Sequence, residues 1–517
     1  MSPDGIQFLD MGERFWAGDP SAIINGLWSP LYPFLLGLTT LLPISPYWEF
    51  ACVHVLGFLI LLVATYSAHR LLRVIIPTLG REDGFEWQLW ALAYAIVTFG
   101  ILQFVSMREV TPDVLMIAFC FLALERIINF DDRPVHLKRW LIAGVFLGLG
   151  YWTKTVMFPL SLVILASAAF SQRSVRGPAA AACAFCLLAL PLVSALSAAK
   201  GRLTIGDSGR LNYLWFTNQL RPRYYHWQGD QVFGTPVHST RQIHSEPSLF
   251  EYEDPFRVTH PPTFAHSYWY EGAQPHFNLA EFPRALANQL TRYYQLFLAG
   301  SALLLVLGAF AMTGWRSTIG RIPRLAPLVF PALSLLGAAA IAGGAMRTMA
   351  VAWILLMLAL LVLAYPAARR MPKDLLASLV LSLVCLSGVQ LAWGMQSELR
   401  AELGALASAT EREPANRHWL VAEALGDLGL RAGDPVAVVG SGSADYWARL
   451  ARLRIVAGGG NKGEDAFWGS TSTDRKDAIA AYSRTSAKVV VVHAPPAAAE
   501  AEAWRRLGST RYWFHPL

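Results

Sequence analysis

The chain has 517 residues, of which 54% are hydrophobic and only 15% charged, against about 25% charged in an ordinary soluble domain. Apolar surface on that scale needs lipid as its solvent, which excludes a wholly soluble or disordered chain. The net charge of +7 is spread over short segments between apolar runs, so it reads as topology charge and not as a nucleic-acid patch.

In chain order, residues 1–29 are polar and carry Asp4, Asp10 and Glu13 in PDGIQFLDMGERFWAGD. Asp4 stands before a helical stretch, where it could serve either as an N-cap or as a functional carboxylate. Asp10 and Glu13 are three apart and share a helix face. Residues 30–44 form a short, proline-punctuated apolar block that fits an interfacial or re-entrant helix. Apolar blocks that span, or nearly so, follow at 47–69, 86–105, 114–130, 138–153, 155–171, 178–198, 292–313, 325–343, 350–366 and 375–396. The pair flanking Lys154 is short, which suggests tilted or fused helices.

The turns between these blocks sort by charge. One set carries Arg70, Arg73, Arg81, Arg126, Arg133, Lys138, Arg139, Arg173, Arg176, Arg316, Arg321, Arg324, Arg369, Arg370 and Lys373; the alternate set carries Arg108, Lys154 and Arg347. The positive-inside rule puts the first set in the cytoplasm. Residues 1–29, the stretch 200–290 and the region 401–517 then lie outside. A polar segment that begins outside leads us to expect a further hydrophobic helix upstream of Met1. All five cysteines lie in apolar stretches, and Cys183-x-x-Cys186 falls within a span, so the pattern reads as packing and not as metal or redox chemistry.

Ionisable groups at the outer ends of spans are the informative ones, because burying charge is costly. MREVTPDVLMIAF supplies Arg108, Glu109 and Asp113; GLGYWT precedes Lys154; GGAMRTMAVAW contains Arg347. Plainer roles are open for each. Thr111 could cap the helix that starts near Pro112, and Lys154 or Arg347 could snorkel to the interface. Together, though, carboxylates and cations at one membrane face suit an anionic phosphate on a lipid. Carboxylates can deprotonate a hydroxyl or hold a divalent cation, here magnesium or manganese between Asp4 and Asp113. Arg and Lys can hold phosphate oxygens.

The 200–290 stretch is rich in aromatics and histidines, among them Tyr224, Tyr225, His226, Trp227, His260, His266, Tyr268, Trp269, Tyr270 and His276. It reads either as a cover lying on the membrane face or as aromatic platforms that could stack on sugar faces, with histidines able to shuttle protons; His266 and Tyr268, with Asp10, are the candidate acceptor contacts. Phe277–Phe297 reads as a helix feeding the next span. In the C-terminal region, helices are expected over Glu413–Leu430, Ser443–Leu453, Asp474–Ser483 and Ala497–Leu507. Strands are expected over Pro435–Gly440, Arg454–Ala457, Ala487–His493 and Arg511–His515, with Gly458-Gly459-Gly460-Asn461 as a loop. The alternation argues for a small parallel α/β sheet. Gly440 and Gly442 follow a strand but lack the third glycine of a dinucleotide fingerprint, so they read as a plain turn.

The first outer loop followed by LWSPLYPFLLGL, the turn REVTPDVLMIAFCFLALE, and GLGYWTKTVMFPL resemble the polytopic GT-C glycosyltransferases that use polyprenyl-phosphate-linked sugars. That group includes aminoarabinose transferases, protein O-mannosyltransferases and rhizobial lipopolysaccharide-core transferases. The resemblance implies a catalytic role for Asp4, with Asp113 and its neighbour Glu109 as second-loop carboxylates. It also implies donor-phosphate contacts from Lys154 and Arg347, with Arg108 beside them. The chain departs from the pattern in that Gly5, not a second acid, follows Asp4.

The expectation is therefore a polytopic α-helical membrane protein of the bacterial inner membrane. Residues 1–400 form the transmembrane domain and 401–517 a small periplasmic α/β domain. It would transfer a sugar from a polyprenyl phosphate to a lipid, glycan or protein acceptor. The alternatives are a transporter or flippase of lipid-linked sugars, which would call for mid-membrane charges or an internal repeat, and a non-catalytic membrane scaffold.

Overall fold

The computed structural model describes residues 1–76, 86–106, 109–128, 136–220, 227–238, 240–252, 256–277, 280–313, 322–407, 417–442, 445–460, 463–496 and 503–517. Helix α1 (Pro3–Trp16) crosses the short helix α2 (Leu31–Thr40). The two meet backbone to backbone. A Cβ on Gly12 would lie 2.2 Å from the Pro33 carbonyl oxygen, and one on Gly37 would lie 2.5 Å from that of Gly12, so glycine is required at both. Phe8 of α1 packs edge-on against Trp28 and Tyr32, at 5.1 and 5.2 Å between ring centres. At ten residues, α2 is half the length of a span, as the proline-punctuated block suggested.

Every expected apolar block is helical: α3 (Glu49–Ile75), α4 (Glu86–Phe104), α5 (Asp113–Ile127), α6 (Leu137–Thr153), α7 (Met157–Gln172), α8 (Arg176–Lys200), α9 (Phe282–Ala299), α10 (Ser301–Thr313), α11 (Ile322–Ala342), α12 (Met346–Ala368) and α13 (Lys373–Ala407). The chain is a polytopic membrane protein. Six helices among the described residues, α3, α4, α8, α11, α12 and α13, are long and apolar enough to cross a bilayer. The block expected at 292–313 is not straight: α9 and α10 meet at Gly300 with a bend of 82° and pass the same test only as a pair. Helices α5, α6 and α7 have 15, 17 and 16 residues, short of the roughly 20 that a straight span takes. The pair around Lys154 is not fused, because α6 ends at Thr153 and α7 begins at Met157. Helix α12 is the buried axis of the bundle, whereas α3 turns Phe58, Leu59 and Leu62 outward, as a lipid-facing helix does.

The two ends of the bundle differ in chemistry. At one end Arg70 pairs with Glu125 at 3.1 Å, Arg139 donates to the Glu125 carbonyl at 2.8 Å, and Gln172 donates to the Ile127 carbonyl at 2.8 Å. The arginine-bearing ends of α3, α5 and α6 therefore gather together. Asp113 lies at the opposite end of α5, about 20 Å away at 1.5 Å per residue. Arg81, Arg133, Arg316 and Arg321 fall outside the described residues.

The C-terminal region is α/β: α14 (Arg417–Asp427), β3 (Pro435–Val438), α15 (Tyr446–Leu450), β4 (Arg454–Gly459), α16 (Gly463–Gly469), α17 (Ser472–Tyr482), β5 (Val489–His493), β6 (Arg505–Arg506) and β7 (Tyr512–Pro516). The sheet is mixed, which corrects the expectation of a parallel one. Its order is β1-β2-β4-β3-β5-β7-β6. Only β4-β3-β5 run parallel, and the outer strands pair antiparallel. The runs PVAV and VVVV are apolar throughout because both faces of the sheet's centre are covered. Strands β1 (Arg241–His244) and β2 (Leu249–Glu251) come from the 200–290 stretch, and at three and four residues they are too short to show alternation. Arg505–Arg506 pair with Phe514 and Trp513 as a strand, not as a helix end. Gly458 and Gly459 extend β4 against Phe250 and Leu249, because the sheet closes there on the Tyr252 hydroxyl and the Gly440 carbonyl, leaving no room for a Cβ at Gly458. All five cysteines are free; Cys120 is buried, whereas Cys183, Cys186 and Cys385 are exposed on their helices.

Candidate active site

Four of the sequence-selected residues sit at helix ends that converge. Asp4 is in the first turn of α1, Asp113 opens α5, Lys154 follows the last residue of α6, and Arg347 is the second residue of α12. Pro112 precedes α5, and three residues without helical structure break the chain before α12. These breaks aim the side chains into a common space.

Arg347 is the hub. Its Nη2 lies 2.6 Å from Asp4 Oδ2, its Nη1 lies 2.6 Å from Glu109 Oε2, and its Nε is 3.5 Å from Asp113 Oδ2. Lys154 Nζ lies 2.5 Å from Asp113 Oδ1 and donates to Thr348 Oγ1 at 2.7 Å. Thr348 Oγ1 lies 3.2 Å from Asp113 Oδ1, and Thr111 Oγ1 lies 2.5 Å from Asp113 Oδ2. Asp113 is fully buried, whereas the side chains of Asp4, Arg347 and Lys154 remain about a quarter exposed, at 28%, 26% and 24%. Three carboxylates and two cations thus form one network, open to approach on the Asp4–Arg347–Lys154 side.

The plainer roles weighed for these residues are taken by others. Ser2 caps α1, accepting from the Gly5 amide at 3.2 Å, so Asp4 is not the cap. Thr111 spends its hydroxyl on Asp113, and the start of α5 has no side-chain cap. Lys154 turns to Asp113 and does not snorkel outward. Arg108 lies outside the described residues, as do Tyr224, Tyr225 and His226. Asp4 and Asp113 do not stand together as a bare carboxylate pair, since each already faces a side-chain cation. Among the described residues no three His, Cys, Asp or Glu side chains form a group that could hold a metal ion.

Asp10 is not brought into this network. It is 2% exposed and belongs to a second cluster that the sequence did not reveal. Its Oδ1 takes Arg449 Nη1 at 2.7 Å, and its Oδ2 accepts from the Thr259 amide and hydroxyl at 3.0 and 2.7 Å. Arg449, 1% exposed, also binds Glu13, and binds Glu49 at 2.9 Å; Arg452 bridges the same two acids at 2.9 and 3.3 Å, and the Tyr446 hydroxyl donates to Glu49 at 3.0 Å. Burial raises the Asp10 pKa against the pull of Arg449. Burial also works against the charge on Arg449, but Glu49, Asp10 and Glu13 outweigh it and hold the guanidinium firmly protonated. The cluster fastens α15 to α1 and to the start of α3. The one sequence signal for it is an acid, Glu49, placed directly before an apolar span.

His266 is buried against Trp28 and Trp215, at 6.3 and 5.5 Å between ring centres. Burial pushes its pKa down to about 4, with the nearby Asp4 charge pulling the other way. Tyr268 has one face covered by His238, stacked at 3.8 Å. The aromatic stretch is largely core: Trp227 stacks on Tyr270 at 5.7 Å, and with Trp269 these rings share a core with Val436, Trp447 and Ile455 of the α/β unit. The expected sugar platforms are in this part interior packing.

No family model and no curated protein matches the chain. Two solved structures share its fold. ArnT from Cupriavidus metallidurans bound to undecaprenyl phosphate is 12% identical with a TM-score of 0.51. The same protein in the apo state is 13% identical with a TM-score of 0.53. Each alignment covers 99% of this chain and 93% of the other.

Proposed function

We propose that the chain is a membrane glycosyltransferase of the GT-C type that takes its sugar from a polyprenyl-phosphate donor. The observation that carries the reading is the convergence of Asp4, Glu109, Asp113, Lys154 and Arg347 from four separate segments. The shared fold with an undecaprenyl-phosphate-bound ArnT supports it. With the arginine-rich end of the bundle toward the cytoplasm, as the positive-inside rule would have it, the site would lie at the periplasmic face of a bacterial inner membrane.

In this reading Asp4 accepts the proton of an acceptor hydroxyl. The hydroxyl oxygen forms its bond to the anomeric carbon, the bond from that carbon to the phosphate oxygen breaks, and the electron pair leaves with the polyprenyl phosphate. Arg347 and Lys154 offset the charge that grows on the leaving phosphate. Helices α1, α5 and α12 bring their N-terminal turns to this network, and a helix N-terminus favours an anion. Buried Asp113 holds Lys154 and Arg347 in place. The charge-offsetting task that a divalent cation would perform falls to these two side chains.

The test is transfer by the purified chain in liposomes from a panel of polyprenyl-phosphate sugars to envelope extract, with and without a chelator. Label should move to the extract with release of polyprenyl phosphate, and the rate should be unchanged by EDTA. No transfer from any donor would refute the reading, and loss of transfer with EDTA would refute the role given to the two cations.

A further inference from the structure

Helix α1 joins the two charged networks. Asp4 stands in its first turn, and Asp10 and Glu13 follow on the same unbroken helix, about 9 and 14 Å further along the axis at 1.5 Å per residue. Through Asp4 the helix meets Arg347 of the bundle. Through Asp10 and Glu13 it meets Arg449 of the α/β domain. Ile6, Asp10 and Glu13, spaced four and three apart, share a face, and Ile6 packs with Ala422, Tyr446 and Leu450 of α14 and α15. On the bundle side Gly12 meets Pro33 and Gly37 of α2. The helix that carries Asp4 is thus gripped between the bundle and the C-terminal domain.

The kind of grip matters. The side chains of Arg449 and Asp10 are 1% and 2% exposed. A buried ion cluster is a weak source of stability, because apolar side chains of similar volume hold two helices at least as well. What it adds is register. Apolar burial has no direction, whereas a planar guanidinium has fixed donor directions. Arg449 donates from Nη1 to Asp10 at 2.7 Å and to Glu13, and from Nη2 to Glu49 at 2.9 Å. It therefore fixes the rotation and the axial position of α1 against both α15 and the start of α3. Asp4 depends on that register. Its side chain is 28% exposed, and it meets a single nitrogen of Arg347, a guanidinium that also serves Glu109 and Asp113. A misplacement of about 1 Å in a reacting group can cost about 100-fold in rate.

We infer, resting on the transferase reading for the role of Asp4, that Arg449 is a positioning residue for the transfer: through α1 it sets where Asp4 stands. The C-terminal domain thereby governs the rate of the chemical step, although among its described residues none joins the Asp4–Arg347 network. The test uses the full chain in liposomes. Arg449→Lys keeps the charge and loses the fork. Glu13→Gln loosens one anchor at an acid that is 32% exposed, so it should fold even where Arg449→Lys does not. Val490→Ala, in β5, loosens the same domain away from α1. Transfer is measured well below each melting temperature, per molecule competent to bind undecaprenyl phosphate, so that a merely structural loss leaves kcat unmoved. Arg449→Lys should lower kcat about tenfold or more and Glu13→Gln about threefold, with KM for the donor and carrier-lipid binding near wild type, and Val490→Ala should keep kcat. Wild-type kcat in the anchor variants, a parallel loss of carrier binding, or an equal fall in Val490→Ala would overturn the proposal. Hydrogen exchange over residues 3–16 reads the anchoring without donor or turnover. Protection there should fall in Arg449→Lys and hold in Val490→Ala, and unchanged protection in Arg449→Lys would also overturn it. Absence of transfer by the wild type from every donor would instead refute the transferase reading, and the exchange result would still decide whether Arg449 fixes α1.

Discussion

Arg347 reaches Asp4 across 343 positions of sequence, with Nη2 2.6 Å from Oδ2. The same guanidinium meets Glu109 at 2.6 Å and Asp113 at 3.5 Å. A planar fork with five donors can serve three carboxylates at once, and an ammonium on a flexible stem cannot. Arg347→Lys should therefore lower transfer at least 100-fold, close to the loss in Arg347→Gln, with expression and apparent melting temperature near wild type. The measurement is initial transfer rate at saturating donor; a lysine variant within threefold of wild type would show that charge alone suffices.

Arg449 is the reciprocal case, one buried cation shared by Asp10, Glu13 and Glu49. Removing it leaves those acids without their principal partner, and breaking a buried pair costs about 3–5 kcal/mol. Arg449→Met should lower the apparent melting temperature sharply. Adding Glu49→Met should recover part of the loss, since replacing both partners by apolar groups is much cheaper. Melting of the two variants side by side decides; a double variant worse than the single would show that Glu49 does not depend on Arg449.

His266 gives a pH dependence with a definite sign. Burial holds its pKa at about 4 in the folded chain, against about 6.5 when unfolded. Between those values the unfolded chain binds the extra proton, so stability from this group is complete above pH 6.5 and is lost as pH falls toward 4. Asp10 and Asp445, whose pKa values burial raises, act in the opposite sense, so the comparison must be of slopes. His266→Gln should flatten the fall in stability between pH 6.5 and 4 by up to about 1.4 kcal/mol per pH unit. Apparent melting temperature against pH for both proteins checks it, and parallel curves would contradict it.

The sequence carried the membrane plan well because lipid imposes a coarse rule: about 20 apolar residues to a span, with arginines at one end. It also placed Asp4, Asp113, Lys154 and Arg347 at one face, since ionisable groups in the segments between apolar runs stand out against them. Their meeting was not legible, because nothing local in PDG, TPD, WTK or MRT fixes how α1, α5, α6 and α12 pack. Asp10 shows the cost of that gap: on its helix it looks like Asp4, and only the tertiary partner Arg449 separates them. The sheet was misjudged for a related reason. Strand β2 has three residues, too few for a pattern, and its pairing with β4 joins segments about 200 positions apart.

The most direct test of the account is the transfer of labelled sugar by Asp4→Asn beside wild type, with undecaprenyl phosphate binding measured in the same preparations. Asp4→Asn should give no detectable transfer, an unchanged melting curve, and carrier-lipid binding kept within a few-fold. Full transfer by Asp4→Asn would remove Asp4 from the chemistry and contradict the site described here.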